Sequence, residues 1–128
     1  MDSDSADNRR YRRIYFPGEL VVSGVVAVPD SPAEFPVKIL NLSEGGLFFT
    51  IVKGNGRYFQ GNRRVLFVGM KGPDPFNLCE KMNMEIKWVC DDTILESIGY
   101  GCEFIDPPSR SVDLFRTMVA GFSLDAAG

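Results

Sequence analysis

The sequence predicts an all-β protein, a six-stranded antiparallel β-barrel with one C-terminal α-helix. Three observations predict it. From Met82 to Cys90 apolar and polar residues alternate, Met82, Met84, Ile86, Trp88 and Cys90 against Asn83, Glu85 and Lys87, which is the period of a strand with one face in a core. Short segments rich in Val, Ile and aromatic residues recur along the chain, separated by clusters of Gly, Pro, Asn and Asp. After Asp106 the period changes: Val112, Phe115, Val119 and Phe122 recur at helical spacing, with Leu114 and Met118 widening the stripe.

The elements follow in order. Residues 14–28 read as a first strand, bent or bulged at a glycine and punctuated by Pro17-Gly18 and Ser23-Gly24. Pro29-Asp30-Ser31-Pro32 is a turn by composition. A second strand over residues 35–40 leads into the turn at Asn41, and a third leaves it over residues 47–52. Gly54-Asn55-Gly56 is a hairpin tip, because Asn and Gly both tolerate positive φ. Residues 63–68 form a fourth strand, 69–76 a loop, 82–90 the fifth strand, and 94–105 the sixth. Asp106 can cap the helix with Pro107 at its first position, or Ser109 can cap a slightly later start. Six strands closing on one another remove the exposed edges that a small open sheet would present.

A chain of 128 residues suits a single domain. The folded part is expected over residues 9–122, after a disordered leader, 1–8, and before a disordered tail, 123–128. The leader carries three Asp and no apolar run, so it is neither a secretory signal nor a membrane anchor. No stretch is long enough to span a bilayer. These features predict a cytoplasmic protein without membrane insertion. The net charge of −3 argues against a general nucleic-acid binder, which needs a broad basic surface.

Function is excluded before it is suggested. The chain has no His, the commonest general base and metal ligand. Its three cysteines, Cys79, Cys90 and Cys102, lack C-x-x-C spacing and read as free, mostly buried thiols, so no metal site is expected. No Ser, Cys or Lys has a recognisable nucleophile context, which predicts no enzyme. Trp88 reads as core.

Against that plain background four of the fourteen basic residues crowd into five positions, Arg9-Arg10-Tyr11-Arg12-Arg13, upstream of Asn41-Leu42-Ser43-Glu44-Gly45-Gly46. A basic run is usually a solvated arm. Asn-x-Ser before Gly-Gly is commonly an ordinary turn whose side chains bond their own backbone. The chemistry of the pair is more specific: guanidinium forks bind phosphate or the O6/N7 edge of guanine, Asn offers an acceptor and donors, Ser a hydroxyl, and glycines let a flat group approach the backbone.

In this order the two stretches read as R-x-x-x-R (Arg9, Arg13) and N-x-S-x-x-G (Asn41, Ser43, Gly46), which resembles the signature of the PilZ family, bacterial receptors for cyclic diguanylate. Gly101-Cys102-Glu103-Phe104 is similar to the G-x-x-F of the last barrel strand in that family. The resemblance implies a barrel from about Arg9 to Phe122, cyclic diguanylate (cyclic di-GMP) as ligand with no other cofactor, and a ligand set of Arg9, Arg10, Arg13, Asn41, Ser43, Gly45 and Gly46. It also implies an adaptor that orders its arginine arm on binding and signals to a downstream protein partner, in motility, biofilm exopolysaccharide or related roles. Asn8 stands before the arginine motif where members that take an intercalated ligand dimer often carry Arg. The alternative is a protein-interaction module that keeps the barrel and binds no nucleotide.

Overall fold

Strand Glu34–Ser43 (β3) is shared along both of its edges, and this sharing closes the sheet. In the computed structural model, which describes residues 13–16, 21–29, 33–53, 59, 63–74, 76–91, 94 and 96–127, seven strands form one antiparallel sheet. They are β1 (Arg13–Tyr15), β2 (Ser23–Ala27), β3, β4 (Gly46–Val52), β5 (Arg64–Lys71), β6 (Leu78–Cys90) and β7 (Ser97–Phe104). The sheet order is β1-β3-β2-β5-β6-β7-β4, and a further pairing of β4 with β3 closes it, leaving β1 outside the ring on β3. Six strands, β2 to β7, therefore make a closed barrel, as the sequence predicts, and one helix, α1 (Ser109–Ala127), follows them.

The expected first strand is two. β1 pairs with residues 41–43 of β3 and β2 with residues 34–38, so they follow one another along the same edge of β3, opposite β4. Pro17-Gly18 separates them in sequence and lies outside the described residues, as do the leader 1–8, Arg9, Arg10, Arg12 and the Gly54-Asn55-Gly56 tip. β5 runs to Lys71, into the expected loop, and β6 begins at Leu78, earlier than Met82, leaving residues 72–77 between them.

Period-two alternation sorts the side chains into an inner and an outer set. Phe49, Tyr100 and Phe59 meet inside, with ring centroids of Phe49 and Phe59 each 5.4 Å from that of Tyr100. The Phe59 amide donates to the Tyr100 hydroxyl oxygen at 3.1 Å, giving this buried phenol a polar partner. At the other end Phe67, Phe104 and Phe115 cluster, the last two 5.3 Å apart, and fix α1 to the barrel. Phe115, Met118 and Val119 form the buried stripe of α1, whereas Leu114 is exposed.

The helix start differs from both expected caps. The Pro108 carbonyl accepts from the amides of Ser111 and Val112, at 2.9 and 3.1 Å, so Pro108 holds the N-cap position and Ser109 is the first helical residue. Asp106 takes φ 44° and reverses the chain before the helix. Glu80 of β6 then anchors the first turn: its carboxylate accepts from the buried Ser111 hydroxyl and pairs with Arg110 at 3.5 Å. The helix runs to Ala127, past residue 122 where the folded part was expected to end.

The cysteine reading is corrected in part. Cys102 is buried, but Cys79 and Cys90 are exposed, because each lies on the outward phase of its strand.

Phe115 is fully buried, so Phe115→Ala should cost about 3–5 kcal/mol in urea unfolding, against well under about 1 kcal/mol for Leu114→Ala on the exposed side. Comparable losses in the two variants would mean that α1 is not held by the phenylalanine cluster.

Candidate functional site

Strand register brings the predicted turn and the last arginine of the arm together. Arg13 lies opposite Ser43, and Tyr15 opposite Asn41. Across β3, Ser43 faces Gly46, which faces Glu103, while Asn41 faces Phe48, Gly101 and then Trp88. Two adjacent rows thus cross the outer wall: Arg13, Ser43, Gly46, Glu103, and Tyr15, Asn41, Phe48, Gly101, Trp88. Arg9 and Arg10 lie outside the described residues. Arg13 makes no ion pair among them.

Ser43 builds the turn. Its hydroxyl oxygen accepts from the amides of Gly45 and Gly46, at 3.1 and 3.2 Å, and the hydroxyl donates to the Gly46 carbonyl at 3.3 Å. This is the backbone-capping role that Ser plays in tight turns. Gly46 is required for a steric reason and not for positive φ: a Cβ there would stand 2.0 Å from the Cys102 carbonyl oxygen. The Gly45 carbonyl accepts from the Phe104 amide at 2.9 Å, and Glu44 at the tip pairs with Arg116 of α1 at 3.1 Å. Hydrogen bonding and the charge of Glu44 push the Arg116 guanidinium above its ordinary value. The tip is therefore tied to β7 and to the helix. A cavity of about 410 Å³ lies beside it, bounded by Glu44, Glu103, Phe104, Pro107 and Arg116.

Asn41 differs from its neighbours. Its side chain is covered, with 8 % of the residue exposed, yet Oδ1 accepts no hydrogen bond from the described residues. Buried amide oxygens are nearly always bonded, and leaving one unbonded costs about 1–3 kcal/mol. A donor brought to the outer wall beside Ser43 would satisfy it.

The aromatic residues of the second row were not predicted as part of the site. Trp88 is 43 % exposed and is not core. A strict alternation would turn it inward with Ile86, but a register shift between Ile86 and Trp88 moves it to the outer face. There its ring covers Gly101, where a Cβ would stand 2.0 Å from ring carbon Cε2, and the Phe48 ring covers Gly99 in the same way at 2.3 Å. The available signal was the pair Gly99 and Gly101 in β7, which leaves room for two rings on one face.

Among the described residues no group of three or more His, Cys, Asp or Glu could hold a metal ion, and no helix is long and apolar enough to cross a membrane.

A small closed barrel with a C-terminal helix, a polar turn and an arginine-bearing strand on its outer wall defines the fold class of the chain. The chain belongs to the PilZ domain family, whose model matches residues 7–121. No curated protein sequence matches it. Solved structures with this fold include Bacillus subtilis inhibitor of motility MotI/DgrA, with 13% identity, TM-score 0.70, 91% of this chain and 52% of that one covered. The c-di-GMP-bound PilZ domain of Escherichia coli YcgR has 13% identity and TM-score 0.65, with 92% and 93% covered. The K. pneumonia MrkH complex with c-di-GMP has 13% identity and TM-score 0.73, with 93% and 54% covered. The chain spans about half the length of MotI and MrkH.

Two outcomes check this geometry. Gly46→Ala should lower the melting temperature by forcing β4 off β7, whereas Gly121→Ala, in open helix with nothing within 4 Å, should raise stability by roughly 0.5–1 kcal/mol. Burial pushes the Cys102 thiol up to about 12, so at pH 8 it holds almost no thiolate. Iodoacetamide should then modify Cys79 and Cys90 in the native protein and Cys102 only after unfolding, as read by mass spectrometry.

Proposed function

We propose that this PilZ domain is a receptor for cyclic diguanylate, bound on the outer wall at Asn41, and that it acts as an adaptor, not a catalyst, passing occupancy to a protein partner. The observation that carries the reading is the covered, unbonded Oδ1 of Asn41. Guanine presents N1–H and N2–H donors on one edge, the groups that such an oxygen lacks. Arg13, two register positions away and in the neighbouring row of the same face, is suited to a phosphodiester oxygen or to the O6/N7 edge, and Arg9 and Arg10 are proposed to complete the cationic set.

Ser43, Gly45 and Gly46 have a double part in this reading. They shape the turn that holds Asn41 at the wall, and the half-buried Gly45 has no side chain to obstruct a flat base. Phe48 and Trp88 offer ring faces in the same row for stacking the second base. That the YcgR domain and MrkH were each solved with c-di-GMP supports the ligand class. The proposal includes closure and ordering of the arginine arm over the ligand, which backbone NMR relaxation with and without ligand tests.

Calorimetric titration is the direct experiment. Cyclic diguanylate should bind, and GMP and cyclic AMP far more weakly, since one base and one phosphate satisfy only part of the set. Arg13→Ala should cost about 1.5–3 kcal/mol, roughly ten- to more than a hundred-fold in affinity, with Arg13→Lys restoring only part. Trp88→Ala should cost about 1–3 kcal/mol if its face carries a base. Ser43→Ala should lower affinity and melting temperature together, because one hydroxyl serves the turn. Unchanged affinity in both Arg13→Ala and Asn41→Leu would leave the nucleotide-free interaction module as the better account.

A further inference from the structure

The wall around β2 and β5 carries a second recess, away from the Asn41 face in the barrel order. Pro36, Val25, Gly69 and Cys79 stand in one row across β3, β2, β5 and β6. Gly69 contributes no side chain, so the row has a notch at its centre. A Cβ there would lie 2.8 Å from the Leu78 carbonyl oxygen, which keeps the position bare. Register shifts on both sides of β5 leave Val68 bulged beside it. The result is a cavity of about 510 Å³ walled mainly by Val25, Pro36, Val68, Leu78 and Cys79.

The next row on the same outer face reads Lys38, Ser23, Lys71. Both lysines are exposed, and neither makes an ion pair among the described residues, in a chain whose net charge is −3. Glu34 lies on the other side of the notch, four residues before Lys38 on β3. The recess is thus apolar at its centre, basic along one side and acidic at the far corner.

We propose that this recess is the docking site for an extended acidic segment of a partner protein, with one apolar side chain seated at the Gly69 notch and a carboxylate two residues on meeting Lys38 and Lys71. The spacing fits. The apolar row and the lysine row are two residues apart along the strands, about 6.6 Å, and the same separation divides residues i and i+2 on one face of an extended peptide. An apolar anchor with a charged neighbour is the common form of small interface hot spots. The site does not depend on cyclic diguanylate: its notch at Gly69 lies on β5, which carries no residue of the two rows at Asn41 and Ser43, and Lys38 is the member nearest to Asn41, three residues before it on β3.

The test uses the full chain with labelled methyl groups and a synthetic heptapeptide, acetyl-Ser-Gly-Glu-Leu-Ser-Glu-Ser-amide. A control peptide carries lysine in place of both glutamates. Shifts should concentrate on the methyls of Val25, Val68 and Leu78. The double variant Lys38→Glu, Lys71→Glu should lose at least about ten-fold in affinity for the acidic peptide and gain the lysine peptide, while melting as the parent does. The proposal is overturned if neither peptide moves these methyls at millimolar concentration, or if both bind the parent equally. It is overturned as well if the shifts follow protein concentration alone, which would assign the recess to a second copy of the chain. None of these results bears on calorimetric binding of the nucleotide.

Discussion

The closed barrel depends on β3 having neighbours on both edges over the half that carries Asn41 and Ser43. One edge takes β1 and β2 in succession and the other takes β4, so the strand that carries Asn41 and Ser43 is also the seam of the barrel. Its amide and carbonyl groups are bonded to strands on two sides, and its apolar members Val37, Ile39 and Leu42 sit in the core. A polar residue on such a strand has little freedom to move. The wall around Asn41 is therefore held by strand pairing on both sides, the preorganisation that the proposed binding would use.

Rigidity is reinforced at the turn between β3 and β4. The Ser43 hydroxyl satisfies two amides of a reversal too tight for strand pairing to reach, and Gly46 lets β7 come close enough for its carbonyl to occupy the space of a side chain. Asn-x-Ser-x-x-Gly is an ordinary turn at Ser43 and Gly46, and the proposed ligand surface rests on Asn41. Ser43 and Gly46 spend their chemistry on geometry. Asn41 retains an unused acceptor because that geometry holds it there.

How much of this was legible in the sequence depends on where the alternation stayed in phase. The inner faces of β4 and β7 were readable because Leu47, Phe49 and Ile51, and Ile98, Tyr100 and Cys102, keep strict period two and are buried. Trp88 was misplaced because a bulge changes the phase of a strand without leaving a mark in composition. The split of residues 14–28 escaped because β1 and β2 use the same edge of the same strand, a relation that only the fold defines. The cap at Pro108 escaped because side-chain preference names Asp and Ser, whereas the chain reverses at Asp106 and enters the helix through two prolines. For the site, residue types and order identified the turn, and register alone shows that Arg13 stands opposite Ser43 and that two rings share the row of Asn41.

The unbonded oxygen of Asn41 also sets evolution's two demands on this barrel against each other. An apolar residue of similar volume at that position would remove a buried acceptor and make the empty fold more robust. Selection for thermal or proteolytic resistance alone, in the laboratory or in nature, would drift toward such a replacement, and the descendant would be a sturdier barrel with no acceptor at its wall. On the proposed reading, Asn at position 41 trades robustness of the empty barrel for an acceptor at its wall.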